Sequence, residues 1–393
     1  PTRSEAREMN TSRYLIVGGG MTGDAAAQGI REHDPDGTIT LVGEEPHPPY
    51  KRPPLTKALW KGSDEEKIWK GTAERGVDVV LGRSIVSLDL DAHHATDDAG
   101  GEYAYEKVLL ATGGRPRRLE NADAEVIYFR TLDDYHKLRA AADGGASVVV
   151  IGGGFIGSEL AAALASNGAR VTMVFPEAGI GWRLFPAHLA QFLNGYYREK
   201  GVDVRPEETV VSVQDGRVTL GSGDVLEADI VVAGLGLEPR TELAAAAGLT
   251  IDNGIVVDEL GRVDGRDDVF AAGDVASFPS SALGRHFRVE HEDHANSHGK
   301  AVGANMAGAG KPYDHIPFFY SDLFDLGYEA VGEVDSRLAT VEHWDEPELK
   351  GVIAYVDEEK LPRGFLFWNT WDKVDAGREL IRAAKPVGEG ALV

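Results

Sequence analysis

Two glycine motifs with the same spacing constrain the fold of this 393-residue chain more than any other feature. One follows an apolar run at residues 14–17 and the other follows an apolar run at residues 148–151. Each fits G-x-G-x-x-G between a predicted strand and a predicted helix, where glycines allow a tight turn, close approach of the backbone to a pyrophosphate, and close helix packing. The glycines are Gly18, Gly20 and Gly23 in the first copy and Gly152, Gly154 and Gly157 in the second. Two copies predict two dinucleotide-binding units.

Acidic residues follow the next predicted strand of each copy. In such a unit, a carboxylate about 20 residues past the glycines accepts hydrogen bonds from ribose hydroxyls. Glu44, with Glu45 beside it, holds this place in the first copy, although two solvated loop glutamates are an alternative interpretation. Glu177 holds the place in the second copy, where a carboxylate would repel a 2′-phosphate and favour NADH over NADPH. The nearby Arg183 would soften that preference.

Composition excludes several classes of chemistry. The chain has no cysteine, which excludes disulfides, thiolate nucleophiles and iron–sulfur clusters, so redox chemistry requires an organic cofactor. A formal net charge of −24 argues against binding nucleic acid. The acidity is typical either of an ordinary cytoplasmic enzyme or of adaptation to salt. No run reaches the roughly 18 apolar residues of a membrane span, and no signal core is present near the beginning, so we expect no membrane span and a cytoplasmic location.

Three further positions have candidate chemistry. Residues 111–114, ATGG, follow a buried strand, and Thr112 and Gly113 therefore indicate close backbone approach to a ligand. Asp274 follows another buried strand and precedes a predicted helix, so it would accept from a polyol hydroxyl or cap that helix. His291, His294 and His298 share one predicted helix face, but nothing else resembles a metal site, and we predict no metal.

From residue 13 onward the chain resembles the flavoprotein reductases of the pyridine nucleotide-disulfide reductase superfamily. It is most similar to the branch of apoptosis-inducing-factor-like proteins and oxygenase-coupled NADH–ferredoxin reductases. Beside the two glycine motifs, the resemblance rests on RPPLTK at 52–57, ATGG at 111–114, GLEPR at 236–240 and AAGD at 271–274. The apoptosis-inducing-factor group is favoured by FIGSEL at 155–160, FPE at 175–177, VEHEDHA at 289–295, FYSD at 319–322 and GYEA at 327–330.

The resemblance implies an α/β fold of three domains. Two are Rossmann-like three-layer domains: a discontinuous FAD-binding domain, 10–118 and 246–313, and an NADH-binding domain, 119–245. The third, 314–393, is an α+β reductase or dimerisation-type domain with an antiparallel sheet, which the aromatic, alternating segments of this region also predict. A monomer and a homodimer are both compatible with it. Within the first domain, the prolines of RPPLTK predict a stiff path followed by a short helix that starts near Leu55.

The resemblance also implies the cofactor-binding residues. FAD would be held by Gly18, Gly20, Gly23, Glu44, Glu45, Arg52, Lys57, Val86, Thr112, Gly113, Arg130, Asp274, Glu290, His291 and Tyr320. NADH would be held by Gly152, Gly154, Phe155, Ile156, Gly157, Glu159, Glu177, Arg183 and Gly236, with NADPH a poorer donor.

Five of these residues are implied to act at the flavin ring. Lys57 and Glu159 match an ion pair that lies beside the flavin in this branch, where an ammonium would raise the flavin potential. Phe155 would lie where the nicotinamide enters, and Tyr320 and His291 would border the ring. Two positions differ from the usual pattern of the family: Tyr320 stands where tryptophan is usual, and Glu292 stands where relatives have a second histidine.

These expectations give an FAD-dependent NADH oxidoreductase that passes a hydride to flavin N5 and then electrons to an acceptor. The acceptor would be a ferredoxin or a quinone, with oxygen as a slow default. Arg115, Arg117 and Arg118 would form a basic dock for an acidic ferredoxin, or are simply surface arginines. The alternative is an apoptosis-inducing-factor-like redox sensor that forms a long-lived charge-transfer complex with little turnover.

Overall fold

The computed structural model describes residues 9–122, 125–388 and 390. Within them the chain forms two compact units. Unit 1 consists of Pro1–Lys51, Glu65–Gly114 and Pro239–Pro317, and unit 2 consists of Arg52–Asp64, Arg115–Glu238 and Phe318–Val393. Residues 52–64, which contain the whole RPPLTK motif and the turn after it, therefore belong to unit 2, together with the second glycine motif.

Helices and strands alternate along most of the chain. The α-helices are α1 Met21–His33, α2 Leu132–Ala142, α3 Phe155–Ser166, α4 Ala187–Glu199, α5 Glu242–Ala246, α6 Glu292–Met306 and α7 Val374–Ala383. The strands are β1 Asn10–Val17, β2 Ile39–Gly43, β3 Val77–Leu81, β4 Ile85–Asp89, β5 His94–Asp97, β6 Glu102–Leu110, β7 Gly114–Pro116, β8 Ile127–Tyr128, β9 Ser147–Ile151, β10 Arg170–Val174, β11 Asp203–Arg205, β12 Val210–Gln214, β13 Arg217–Leu220, β14 Val225–Glu227, β15 Ile230–Ala233, β16 Leu237–Pro239, β17 Ile255–Val256, β18 Val269–Ala271, β19 Ala276–Ser280, β20 Arg285–Phe287, β21 Phe318–Leu323, β22 Leu326–Gly332, β23 Ala339–Glu346, β24 Lys350–Val356 and β25 Pro362–Trp368.

Unit 1 is built on a seven-stranded sheet in the order β3-β2-β1-β6-β5-β4, with β18 also paired to β6. The strands β3, β2, β1, β6 and β18 pair in parallel, whereas β5 and β4 continue the sheet in antiparallel fashion. Side chains alternate along β1: Tyr14 and Ile16 pack in a core with α1 and α6, and Leu15 and Val17 pack in a second core on the other face. Because β1 is buried on both faces, its residues 14–17 are all apolar.

Unit 2 contains a parallel sheet in the order β11-β10-β9-β15-β8 and the antiparallel meander β12-β13-β14. Val149 and Ile151 of β9 share a core with residues of that meander, so the meander covers one face of the sheet. The third sheet, β21-β22-β25-β24-β23, is antiparallel throughout. These sheets and helices confirm the predicted fold class. The three-domain division stays a prediction.

Three local predictions need correction. The helix expected near Leu55 is instead two short 3-10 turns, Pro53–Thr56 and Ala58–Lys61, interrupted at Lys57, where φ is −128° and ψ is −93°. The helix expected after Asp274 is a 3-10 turn, Gly273–Val275, followed directly by strand β19, because that segment pairs with β17 and β20. The apolar run IVVAGLGL predicts a buried strand over residues 230–237, but strand β15 ends at Ala233. In the described part of the chain, no helix is both long and apolar enough to cross a membrane.

Candidate functional site

The first glycine motif forms an open turn between β1 and α1. Gly18 has φ of +130°, and a Cβ atom there would lie 2.1 Å from the carbonyl oxygen of Ala111. A Cβ atom on Gly23 would lie 2.2 Å from the carbonyl oxygen of Gly18, so both positions require glycine. Gly20, the N-cap of α1, is different, because no described atom lies within 4 Å of the place where its Cβ would stand. This opening at a helix N-terminus suits a phosphate group.

The second motif repeats this construction between β9 and α3. Gly152 has φ of +113° and approaches Gly234, whose carbonyl oxygen would lie 2.3 Å from an added Cβ. A Cβ on Gly157 would lie 1.9 Å from the carbonyl oxygen of Gly152. Gly154 caps α3 and again has no described atom within 4 Å of an added Cβ. Both turns therefore have the shape that a dinucleotide pyrophosphate requires, so the residues present fit such a cofactor.

The predicted ribose-binding acids lie at the ends of β2 and β10, and each has an arginine beside it. Glu44 pairs with Arg240, and Glu45 accepts a hydrogen bond of 2.5 Å from the hydroxyl of Tyr50. The guanidinium of Arg183 lies 3.6 Å from Glu177. That contact places a positive charge next to the predicted NADH-selecting carboxylate, as the sequence suggested.

Among the other predicted FAD residues of unit 1, Thr112 and Gly113 follow β6, and Val86 lies on β4. Thr112 donates to the carbonyl of Arg240 at 2.7 Å, and the carbonyl of Gly113 accepts from the Arg240 amide at 3.0 Å. Val86 is 56% exposed on β4, whereas the neighbouring Ile85 is buried. The Val86 side chain thus faces outward in this structure.

The segment around Asp274 is held by an arginine. The guanidinium of Arg288 donates to the backbone carbonyl of Asp274 at 3.2 Å and pairs with Glu290 at 2.5 Å. His291 is the N-cap residue of α6 rather than part of its first turn. Burial lowers the pKa of His291 to about 4, so the imidazole is neutral at physiological pH.

The other two histidines of that segment lie inside unit 1. The rings of His294 and His298 are 4.7 Å apart, and both pack against Phe278. Burial lowers the pKa of His298 to about 3 and that of His294 well below its usual range. Tyr313 hydrogen-bonds Nδ1 of His294 at 3.2 Å. The described residues contain no cluster of His, Cys, Asp or Glu that could hold a metal ion.

Unit 2 contains a buried ion pair between Lys57 and Glu159. The ammonium lies 2.6 Å from Oε1 of Glu159, and the two side chains are only 13% and 5% exposed. Glu159 projects from α3, and Lys57 lies between two 3-10 turns, the first of which begins with the prolines of RPPLTK. The ammonium also lies 5.3 Å from the centre of the Tyr320 ring, which is 38% exposed. The structure therefore contains the ion pair that the family resemblance implies, while its role at a flavin stays a prediction.

Two hydroxyl groups that were not predicted from the sequence complete this cluster. Thr56 donates to Oε2 of Glu159 and Ser321 donates to Oε1, each at 2.5 Å. Thr56 directly precedes Lys57, and Ser321 directly follows Tyr320. The one signal in the sequence that could have indicated Thr56 and Ser321 was that each is adjacent to a predicted site residue. We call Thr56, Lys57, Glu159 and Ser321 the carboxylate cluster.

The remaining predicted residues of unit 2 are placed as follows. Phe155, the first residue of α3, makes an edge-to-face contact with Phe319 at 5.2 Å between ring centres. Arg52 donates to the carbonyl of Arg130 at 2.9 Å. Ile156 lies beside Gly234 in the second glycine turn, and Gly236 has φ of +85° just after β15. None of these contacts by itself tests a cofactor-binding role.

Comparison with known proteins decides the family. The model of the pyridine nucleotide-disulphide oxidoreductase family matches residues 12–299, and the model of the C-terminal domain of mitochondrion-associated apoptosis-inducing factor matches residues 302–349. The chain belongs to the pyridine nucleotide-disulphide oxidoreductase family. Membership in this family makes it an oxidoreductase and implies FAD and NAD(P)H as its cofactors.

Relatives in this family cover most of the chain. Apoptosis-inducing factor 1 of Dictyostelium discoideum is 34% identical over 96% of this chain and 79% of its own length. Rhodocoxin reductase of Rhodococcus erythropolis is 35% identical over 81% of this chain and 77% of its own. Among solved structures, the covalent putidaredoxin reductase–putidaredoxin complex matches with a TM-score of 0.90 at 29% identity, covering 98% of this chain and 96% of that chain.

Proposed function

We propose that this chain is an FAD-dependent NADH oxidoreductase that delivers electrons to a ferredoxin. The observation that carries the proposal is the pair of open glycine turns, one in each unit, at Gly20 and Gly154. Each presents backbone N–H groups at the start of a helix, where a pyrophosphate binds favourably. The turn in unit 1 would hold FAD and the turn in unit 2 would hold NADH. Bound FAD would accept a hydride at N5 from the nicotinamide and release electrons to the acceptor.

The protein's own contribution is charge and alignment. Lys57 is kept close to a buried carboxylate at 2.6 Å, so its ammonium is held in one place. By family likeness this charge would lie beside the flavin ring and favour its reduced form. Phe155, at the beginning of α3, would take part in admitting the nicotinamide. We find no catalytic dyad or triad in the sequence, which suits hydride transfer, because that step requires no general acid or base.

The preference for NADH rests on Glu177. Its carboxylate would repel the 2′-phosphate of NADPH, while Arg183 at 3.6 Å partly offsets that repulsion. We expect Glu177→Gln to raise the ratio of kcat/KM for NADPH over NADH by about 5-fold, since removing one like charge near a phosphate is worth roughly 1 kcal/mol. Steady-state kinetics with both nucleotides measure this ratio. The matched control is Glu207→Gln, at a neighbouring acidic residue whose backbone has positive φ.

A ferredoxin is favoured as acceptor by three exposed arginines and by the relatives. Arg115, Arg117 and Arg118 are exposed near the end of β7, on a chain whose net charge is −24. Arg115 pairs with Glu238, and Arg118 lies 4.8 Å from the centre of the Tyr128 ring, so two of them are held in place. Opposite charge on an acidic ferredoxin would speed its encounter with this cluster. A quinone is the alternative acceptor.

The second candidate function is a redox sensor with little turnover. It is favoured by the aromatic contacts of Phe155 and by the exposed Tyr320 ring, since stacked rings would stabilise a charge-transfer complex. The 34% identity with an apoptosis-inducing factor also points to it.

One experiment separates these functions. The purified chain is reduced with NADH under anaerobic conditions in a stopped-flow spectrometer and then mixed with ferredoxin, quinone or oxygen. Loss of the flavin absorption within seconds, followed by rapid reoxidation with ferredoxin only, supports the reductase. Long-wavelength absorption that persists with every acceptor supports the sensor. A purified chain that binds no flavin would contradict both functions.

A further inference from the structure

The carboxylate of Glu159 receives hydrogen bonds from three separate groups of unit 2. Oε1 accepts from the ammonium of Lys57 at 2.6 Å and from the hydroxyl of Ser321 at 2.5 Å, while Oε2 accepts from the hydroxyl of Thr56 at 2.5 Å. Both hydroxyl-bearing side chains are buried. Such short bonds to an ionised acceptor are among the stronger hydrogen bonds in proteins.

The two hydroxyls act on opposite oxygens and come from different elements. Thr56 ends the 3-10 turn that begins with Pro53, and Ser321 lies within strand β21. The last torsion of a glutamate side chain has no sharp staggered minima, so a carboxylate with one partner turns easily. A donor on each oxygen, fixed to two rigid elements, opposes that rotation.

The Ser321 proton points to Glu159, because the Ser321 hydroxyl donates to Oε1 of that carboxylate. Tyr328 of β22 is buried close to this cluster. Burial and the nearby Glu159 charge raise the pKa of Tyr328 well above its usual value, so the Tyr328 hydroxyl keeps its proton.

The orientation of Glu159 matters because its carboxylate binds the Lys57 ammonium. This ammonium is carried by a flexible four-carbon chain, and Glu159 is the partner at salt-bridge distance. A carboxylate that turned would carry the ammonium with it. Reaction rates at a cofactor depend on such placement, since a shift of about 1 Å can cost about 100-fold.

We propose that Thr56 and Ser321 are positioning residues, which hold the Glu159 carboxylate in one orientation and through it fix the Lys57 ammonium for hydride transfer to the flavin. The inference rests on the proposed oxidoreductase function. Neither residue needs to contact the cofactor or the nucleotide.

The test uses two single variants, Thr56→Val and Ser321→Ala, and the double variant of the full-length flavin-loaded chain. We expect NADH to reduce the flavin about 5-fold more slowly in each single variant and at least 20-fold more slowly in the double variant, because a hydrogen bond to a charged group is lost each time. KM for NADH should stay within 2-fold, because neither hydroxyl is placed at the nucleotide turn. The conservative variant Thr56→Ser should restore the rate.

A second readout does not depend on activity. The rate at which an amine-selective reagent modifies Lys57, followed by mass spectrometry without NADH, reports how firmly the ammonium is held. We expect modification to be about 10-fold faster in the double variant, in line with the loss of two charge-assisted hydrogen bonds. Ser158→Ala is the matched control, because Ser158 lies on the same helix and donates to the carbonyl of Phe155 rather than to Glu159. This variant should match the wild type in both readouts.

Reduction rates and Lys57 modification within 2-fold of the wild type in the double variant would overturn the inference. Equal slowing by Ser158→Ala would also overturn it, because the effect would then be a general loss of packing. If the double variant does not fold, the isosteric Thr56→Val variant alone decides the matter by the same two readouts. Failure of the wild type to be reduced by NADH would instead reject the proposed function, and Lys57 modification would still test the role of the hydroxyls.

Discussion

Helices α1 and α3 start with the same glycine turn, and each buries one carboxylate just after the third glycine. Asp24 of α1 is fully buried and lies 2.6 Å from both Thr72 and Arg75, 2.7 Å from Gln28 and 3.4 Å from Lys70. All of these partners belong to unit 1. Asp24 therefore joins α1 to the segment after the RPPLTK region and is satisfied entirely by structural groups.

Glu159 of α3 is also held by hydroxyls and an ammonium, but here the ammonium lies beside an aromatic ring. Lys57 lies under the Tyr320 ring, which is 38% exposed. A buried carboxylate after a glycine motif is therefore not by itself a functional group. Glu159 differs from Asp24 because its partner Lys57 lies beside the partly exposed ring of Tyr320.

The largest expected effect concerns Asp24. Asp24→Ala leaves Arg75 and Lys70 without their shared buried partner, and breaking such a buried pair should lower the free energy of unfolding by about 3–5 kcal/mol. Urea unfolding measures the change. Asp36→Ala, an exposed acid just after the same helix, is the control and should stay within about 0.5 kcal/mol of the wild type. A loss below about 1 kcal/mol for Asp24→Ala would show that its partners are satisfied by water instead.

Lys57→Met should have the largest effect on the reaction. Removing a preorganised charge commonly costs about 100-fold in rate, so we expect NADH to reduce the flavin about 100-fold more slowly and the flavin potential to fall. Anaerobic stopped-flow spectroscopy and a potentiometric titration measure the two quantities. Lys61→Met, an exposed lysine in the following turn, is the matched control. A rate within 2-fold of the wild type would place Lys57 outside the reaction.

The buried histidines of unit 1 should affect stability with pH rather than the reaction. The pKa of His298 is lowered to about 3, whereas the unfolded chain protonates the same imidazole near pH 6.5. The stability that this residue contributes is therefore complete above about pH 6.5 and falls as the pH drops, by about 2 kcal/mol at pH 5. Urea unfolding at pH 7 and pH 5 should show a smaller difference for His298→Gln than for the wild type. The exposed His33→Gln should leave the difference unchanged, and an unchanged slope in His298→Gln would contradict the assignment.

Much of this arrangement could be predicted from sequence because it depends on local patterns. The apolar runs and the glycine spacing, which predict the two strand–turn–helix units, are patterns within short windows. The failures at Leu55 and after Asp274 have a different cause. Prolines and pairing with β17 and β20 determine those backbones, and the second of these is a tertiary contact.

The site residues show the same limit more sharply. Lys57 and Glu159 are 102 residues apart in the sequence, and only the family resemblance indicated that they form a pair. Ser321 is 162 residues from Glu159 and lies on a strand whose alternating pattern indicates burial but not a partner. No periodicity signal specifies which buried hydroxyl meets which carboxylate.

The smallest expected effects on stability are those of alanine substitutions in the two glycine turns, and these variants test which cofactor each turn binds. Because no described atom lies within 4 Å of an added Cβ at Gly20 or Gly154, alanine there should leave the free energy of unfolding within about 0.5 kcal/mol of the wild type. Gly154→Ala should raise KM for NADH about 10-fold, since a methyl group would occupy the space for the pyrophosphate. Gly20→Ala should instead lower the flavin content of the purified protein. The reverse pattern would exchange the cofactors assigned to the two units.

The contrast between the two buried carboxylates is tested most directly by one pair of rates. NADH reduction of the flavin is followed by anaerobic stopped-flow spectroscopy in Glu159→Gln and Asp24→Asn, each corrected for its folded, flavin-containing fraction. We expect Glu159→Gln to be slowed about 100-fold and Asp24→Asn to react within about 2-fold of the wild type. Equal rates in the two variants, or a slower reaction in Asp24→Asn, would contradict the functional role of the carboxylate cluster.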